Sequence, residues 1–438
     1  MLAPQDVILA SGCSGALEIA IKGLLSAGDN IILPRPGFSL YETLAKAYGV
    51  ECRFYSLKPE NSWEADCEEM SAQIDDRTKA ILINNPSNPC GCVYSKEHLQ
   101  SILAVAEKHQ VPIIADEIYG NITFEGHQFH PVASLTTEVP VLSVGGIAKE
   151  FLVPGWRVGW ILIHDRNGAF TEVRKGLMKL TQLIIGANTL VQSAMPAILT
   201  PEGASQKEEV EQNTRSMVAH LEVRTRKAQR TERGRGVLIY ACEYRLHCSV
   251  QWNTRTGTRV LSDSTVESNH NMIMIGFDGH SCMMEHRPLC SLPRPLLQYH
   301  THTHHVTPSL SPQPLLRIQN NAKIVIAALG SVDGLDVVPA QGAMYVMCGI
   351  DKSKIDIVDD MAFTQQLLDE EFVVVLPGKC FGMPNYFRIF LGIPPAKLTE
   401  ACSRIADFAR SHTIGGTKRK DLGDEEKSAE PTAKQAKN

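Results

Sequence analysis

Between Val7 and His164 the chain alternates short aliphatic runs with longer amphipathic stretches, and this alternation restricts the possible fold more than any other feature. Val7-Ile-Leu-Ala, Asn30-Ile-Ile-Leu, Ala80-Ile-Leu-Ile, Val111-Pro-Ile-Ile-Ala and Val139-Pro-Val-Leu have the length and β-branched content of buried strands. The segments between them are helical in pattern. In Lys96–Gln110, for example, Leu99, Ile102, Leu103, Val105 and Ala106 lie on one side. Buried strands joined by helices predict an α/β layer fold with a mostly parallel central sheet. Ligands in such folds collect at the carboxyl ends of the strands.

The chain of 438 residues is long enough for two domains, since single cores stop growing at roughly 250–300 residues. From Leu329 to His412, strand-like runs (Ala343-Met-Tyr-Val-Met, Phe372-Val-Val-Val-Leu, Phe387-Arg-Ile-Phe-Leu) mix with helices, which predicts a smaller α+β domain. From Thr413 onward the charged, Gly- and Ala-rich sequence cannot bury a core and is expected to be disordered.

Residues 223–319 break the pattern. A basic run (Arg224, Arg226, Lys227, Arg230, Arg233, Arg235) leads into irregular polar sequence and then a stretch with His300, His302, His304 and His305. Structureless loops longer than about 12–15 residues are uncommon inside compact domains. Joining Glu222 to Asn320 places Met217, Val218, Leu221, Ala322, Val325 and Leu329 on one apolar face of a single helix. The stretch is therefore expected to interrupt a helix, and its composition fits a translated intron better than a regulatory insertion. Its histidines, with Cys282 and Cys290 nearby, match no structural zinc spacing, so no metal is expected. The basic run lacks the interleaved aromatics of a nucleic-acid surface.

Bulk properties exclude other classes. A net charge of −5 gives no electrostatic basis for binding nucleic acid or a membrane. No apolar run approaches the roughly 20 residues that cross a bilayer. The N-terminus carries no secretory pattern, and the 12 cysteines have no disulfide-framework spacing, so reduced thiols in the cytoplasm are expected, with mitochondria as the alternative compartment.

Five fragments carry chemistry. Lys149 follows a strand-like run ending at Ser143, with Arg157 eight positions on. A lysine amine forms a Schiff base with an aldehyde, and an arginine fork pairs with phosphate, although the two taken alone are more often a surface pair, by roughly ten to one. Asp116 ends the run Ile113-Ile-Ala and precedes Tyr119; it suits the ring nitrogen of a pyridinium cofactor, or equally a helix N-cap. Asn84-Asn-Pro-Ser-Asn88-Pro-Cys-Gly91 forms a turn from which Asn88 can donate to the same ring. Ser11-Gly-Cys-Ser14-Gly opens a helix and can cradle phosphate. Arg388, alone in an apolar strand, needs an anion, either an amino-acid carboxylate or a structural acid.

Taken together and in order, these fragments resemble the fold-type-I pyridoxal-phosphate-dependent aminotransferases, closest to the tyrosine branch of that family. The resemblance runs from about Asp6 to His412, leaving out Val223–Gln319. Its most specific pieces are Arg35-Pro-Gly-Phe-Ser-Leu-Tyr41, the Asn84–Gly91 turn, Ala115-Asp-Glu-Ile-Tyr-Gly120 and Gly145-Gly-Ile-Ala-Lys-Glu-Phe-Leu-Val-Pro-Gly-Trp-Arg157. It implies a large cofactor-binding domain over residues 1–222, a small domain over 320–412, and a homodimer with no nucleic-acid or membrane partner. It also implies pyridoxal 5'-phosphate as cofactor, held by Lys149 as a Schiff base. Asp116 would meet the ring nitrogen, Asn88 and Tyr119 the phenolic oxygen, and Phe38 the ring face. Ser14 and Arg157 would hold the phosphate, and Arg388, with Asn88, the substrate. The implied reaction moves the amino group of L-tyrosine to 2-oxoglutarate, leaving 4-hydroxyphenylpyruvate and L-glutamate. Alternatives are a relative acting on alanine, kynurenine or other aromatic amino acids, or a truncated or mis-spliced form with impaired catalysis.

Two departures from the family pattern stand out. Gly146 occupies the position, three residues before the lysine, where many members have serine. The family also carries a further segment ahead of the position of Asp6, supplying part of the small domain and pocket, so an N-terminally truncated chain is expected.

Overall fold

The computed structural model describes residues 2–184, 186–199 and 312–414. Most of the stretch 223–319, together with Met217, Val218, Leu221 and the tail from 415, lies outside the described residues.

The expected strands form, and they assemble into one sheet. Its members are β1 (Val7–Ser11), β2 (Asn30–Arg35), β3 (Glu51–Lys58), β4 (Glu64–Ala65), β5 (Thr78–Asn84), β6 (Ile113–Asp116), β7 (Val141–Gly146) and β8 (Val158–His164). They lie in the order β1-β8-β7-β6-β5-β2-β3-β4. The run β7-β6-β5-β2-β3 is parallel, while β8 returns antiparallel beside β7 and β1 pairs antiparallel with β8. Strand β3 was not anticipated. Glu51, Arg53, Ser56 and Lys58 make it polar, because it lies toward one edge and is only partly covered.

Strand periodicity sends alternate residues to opposite faces. Ala80, Leu82, Ile114 and Leu142 pack under α1 (Gly12–Leu24), through Ala16, Leu17, Ala20 and Ile21. Their neighbours Ile81, Ile83, Ile113 and Val141 pack on the other face with Leu99, Ile102, Leu103 and Ala106. These last four belong to the helix expected from spacing, Lys96–His109. Ser95 caps its start by accepting from the His98 N–H at 3.1 Å, and Gln110 ends it in the left-handed region. In chain order the remaining helices of this layer are α2 (Ser39–Ala47), α3 (Cys67–Ala72), then Lys96–His109 as α4, α5 (Ile147–Glu150), α6 (Thr171–Leu180) and α7 (Thr189–Leu199).

After the undescribed stretch, α8 (Pro312–Leu329) leads into an antiparallel sheet, β11-β12-β10-β9, built from β9 (Leu335–Val337), β10 (Tyr345–Ile350), β11 (Leu376–Pro377) and β12 (Tyr386–Phe390). Two helices, α9 (Asp360–Glu371) and α10 (Pro395–Ser411), complete it as an α+β layer. Ala322, Val325 and Leu329 share the buried face of α8 as expected. Helix α8 already begins at Pro312, before the expected Asn320, because Ile318 and partly buried Leu315 continue the same spacing. The strand expected over Phe372–Leu376 shrinks to Leu376–Pro377. Phe372 instead adopts φ +56° and ends α9, its N–H donating to Leu368 O at 3.1 Å.

The small layer is held by an aromatic cluster. Phe363 stacks on Phe387 (centroids 5.0 Å, 16°) and meets Phe408 edge-on (5.1 Å, 88°), with all three fully buried. Phe363→Ala is expected to lower stability by about 3–5 kcal/mol through lost burial and a residual cavity. A denaturant titration should show the midpoint falling with an unchanged slope.

Candidate active site

The parallel strands β2, β5, β6 and β7 all end at the same edge, and their last residues are Arg35, Asn84, Asp116 and Gly146. The chain builds outward from β2 to β3, then returns through β5 to run the other way. Loops therefore diverge at the β2/β5 boundary, where open α/β sheets bind ligands.

Asp116 is 3% exposed, and its surroundings come from three elements. The Tyr41 hydroxyl of α2 donates to Oδ2 at 2.7 Å, the Ile118 N–H to Oδ1 at 3.2 Å, and the Cys13 thiol of α1 to Oδ1 at 3.6 Å. Burial pushes the carboxyl above its ordinary range, against the pull of these donors and of the nearby Lys149 charge. Burial and the Asp116 charge in turn hold both the Tyr41 hydroxyl and the Cys13 thiol well above their usual values, keeping them protonated as donors. Such a carboxyl suits a cationic ring nitrogen as partner. Sequence reasoning missed Tyr41 and Cys13 as parts of the site. Both stood in the recognised fragments, but only the fold brings them to Asp116.

The turn after β5 is tied to the same point. Asn84 sits opposite Asp116 in the sheet register; its Nδ2 donates to Asp116 O at 3.0 Å and its Oδ1 accepts from the Asn88 N–H at 2.6 Å. Asn88 Oδ1 accepts from Arg388 Nη1 at 2.7 Å, joining residues 300 positions apart. That bond uses the acceptor end of the amide and leaves the Nδ2 hydrogens as its donors. Gly91 allows the turn to approach the small sheet: at φ +71°, a Cβ there would lie 2.5 Å from Tyr345 O. Arg388 is 3% exposed on β12, and its guanidinium lies between the rings of Tyr345 (4.0 Å) and Phe381 (4.7 Å).

Lys149 lies on α5, directly after β7, with Nζ 6.0 Å from the Tyr119 ring centroid. The Tyr119 hydroxyl is in turn 3.2 Å from that of Tyr345. Phe38 caps α2 and meets Tyr41 edge-on at 5.6 Å.

The remaining pair, Ser14 and Arg157, lies at the N-terminus of α1. Arg157, at φ +52°, donates from Nη2 to Ser11 O at 3.1 Å and from Nη1 to Pro154 O at 3.0 Å. A Cβ on Gly12 would fall 2.4 Å from Arg157 Nη2, so glycine is needed for the guanidinium to sit over the helix start. Ser14 is exposed in the first turn, where N–H groups and the helix dipole favour an anion.

Next to Asp116, burial raises Glu117 from 4.5 to about 7, offset in part by the Val132 N–H on Oε1 at 2.8 Å. A carboxyl raised on folding contributes stability below its unfolded value and loses it as pH rises. The protein should therefore lose stability between about pH 4.5 and 7 through this group. Denaturation measured across that window should show a shallower pH slope for Glu117→Gln.

Comparison with known proteins matches this architecture. The family model described as aminotransferase class I and II matches residues 1–236 and 312–405. Tyrosine aminotransferase of Mus musculus is 37% identical over 413 residues, covering 94% of this chain and 68% of the relative. That of Dictyostelium discoideum is 37% identical over 414 residues, covering 94% and 75%. Among solved structures, tyrosine aminotransferase from Leishmania infantum superposes with a TM-score of 0.66 at 28% identity, over 93% of this chain and 75% of that one. Alanine aminotransferase from Pyrococcus furiosus shares the fold, with a TM-score of 0.65 at 22% identity over 94% and 77%. On these matches, and with the strand-end constellation around Asp116, the chain belongs to the class I and II aminotransferase family and has its fold-type-I architecture.

Proposed function

We propose that the chain transfers the amino group of L-tyrosine to 2-oxoglutarate, yielding 4-hydroxyphenylpyruvate and L-glutamate, in the degradation of aromatic amino acids. The observation that carries this is the convergence of Asp116, Asn88, Tyr119 and Lys149 at the strand ends of the large sheet, with Arg388 of β12 bonded to Asn88. The relatives that bear the name tyrosine aminotransferase supply the substrate.

The cofactor of this family is pyridoxal 5'-phosphate, which when bound supplies an aldehyde to take up an amino group and a ring to absorb electron density. The chain has complementary parts for each portion of it. Asp116 would keep the ring nitrogen protonated, which suits a carboxyl buried this deeply. Asn88 and Tyr119 would hold the phenolic oxygen, and Phe38 would cover the ring. Ser14, Arg157 and the first turn of α1 would hold the phosphate. Lys149 would bind the aldehyde and then move the proton at the substrate α-carbon. Arg388, already oriented by Asn88 and by two aromatic faces, would fix the α-carboxylate.

A homodimer is also proposed. Met178, Leu183, Ile184 and Leu190 of α6, α7 and the segment between them are 50%, 67%, 55% and 80% exposed, apolar side chains that a second copy would cover. No helix among the described residues is long and apolar enough to cross a membrane.

Two measurements test these proposals. Purified full-length protein mixed with pyridoxal phosphate should absorb near the visible edge and turn over tyrosine with 2-oxoglutarate. Lys149→Ala should lose that absorbance and at least about a thousandfold in kcat. Absorbance without turnover would support a catalytically impaired product, and faster turnover of alanine would reassign the substrate. In sedimentation, Leu190→Asp should shift the protein toward monomer; an unchanged dimer would place the interface elsewhere.

A further inference from the structure

We propose that Tyr345 is a positioning residue with two separable actions, its hydroxyl tuning Tyr119 and its ring holding Arg388. This rests on the aminotransferase function proposed above and extends it to a residue outside the set expected from the sequence.

Tyr345 opens β10 and is 2% exposed. In the register of β10 and β12, Met347 stands opposite Arg388. Tyr345, two positions before Met347, is therefore the diagonal neighbour of Arg388 on the same face. This places the guanidinium carbon 4.0 Å from the ring centroid. A guanidinium over an aromatic face is attracted by the ring and kept flat against it, so its edge can serve a carboxylate. At the other end of the side chain the hydroxyl lies 3.2 Å from the Tyr119 hydroxyl, with the rings edge-on at 6.0 Å and 83°.

The direction of that hydroxyl pair follows from chemistry. When Tyr119 donates its proton to the phenolic oxygen of a bound cofactor, its own oxygen is left to accept, and Tyr345 becomes the donor. Hydrogen bonds in series polarise one another, so donation from Tyr345 makes Tyr119 a stronger donor to the ionised phenolic oxygen. Removing the Tyr345 hydroxyl weakens that support and raises the pH at which the bound cofactor changes its absorbance. The ring acts elsewhere, on the carboxylate end of the substrate.

The test uses the full-length holoenzyme. In Tyr345→Phe the midpoint of the substrate-free absorbance titration should rise by about half a pH unit, while KM for tyrosine and 2-oxoglutarate stays within about twofold. In Tyr345→Leu the same rise should be joined by an increase of about tenfold in both KM values. Adding Tyr345→Phe to Tyr119→Phe should move the midpoint no further, because the effect passes through Tyr119. An unmoved midpoint in Tyr345→Phe, or an equal further shift in the Tyr119→Phe background, overturns the proposal. If Tyr345→Leu fails to fold, Tyr345→Phe and the double variant still decide it. A parent protein that shows no visible absorbance with pyridoxal phosphate overturns the underlying function and this extension together. An absorbing parent with an unmoved Tyr345→Phe overturns this inference alone.

Discussion

A carboxyl at the end of a central strand, closed off from water, is costly unless donors or a cation surround it. Asp116 is in that position, and much of the neighbouring structure meets its requirements. Tyr41, Cys13 and the Ile118 N–H reach it from α2, α1 and its own turn, so the spacing of these elements is tied to one side chain. The donors do not fully offset the burial, since the carboxyl still stands above its ordinary range. The residual cost is what a protonated ring nitrogen would relieve.

From Asp116 the structure extends to the small layer through one chain of contacts. Asn84 couples the carbonyl of Asp116 to the backbone of Asn88, and Asn88 couples to Arg388. Gly91 lets the turn lie against β10, close to Tyr345. The surroundings of Asp116 and those of Arg388 are thus parts of one packed network. Packed networks transmit small displacements, so side chains that touch no ligand can still set its geometry.

Particular residues show how much was legible in the sequence. Lys149, Asp116, Asn88 and Arg388 stood out because a polar or charged group beside buried strand sequence needs a reason. Ser14 and Arg157 were legible from the helix start, and the fold brings them to the same end of α1. Tyr41, Cys13 and Tyr345 were not legible, because aromatics and thiols are ordinary core residues and only the fold brings these three to the site. Phe372–Leu376 was misread as a strand for a related reason. Its β-branched run has strand composition, but the left-handed turn at Phe372 and the lack of pairing partners are decided outside the run.

The sequence by itself determined the element types and the class of fold. Side-chain periodicity reports burial locally, and alternation of buried strands with amphipathic helices leaves few ways to layer them. It also determined that Ala322, Val325 and Leu329 share a helix face. Only the tertiary structure decided which residues meet. The Arg388–Asn88 bond spans 300 positions and the Tyr41–Asp116 bond spans 75, separations over which local pattern carries no information. Strand order and register fix those meetings, because they arise from the packing of whole elements against one another rather than from any single segment.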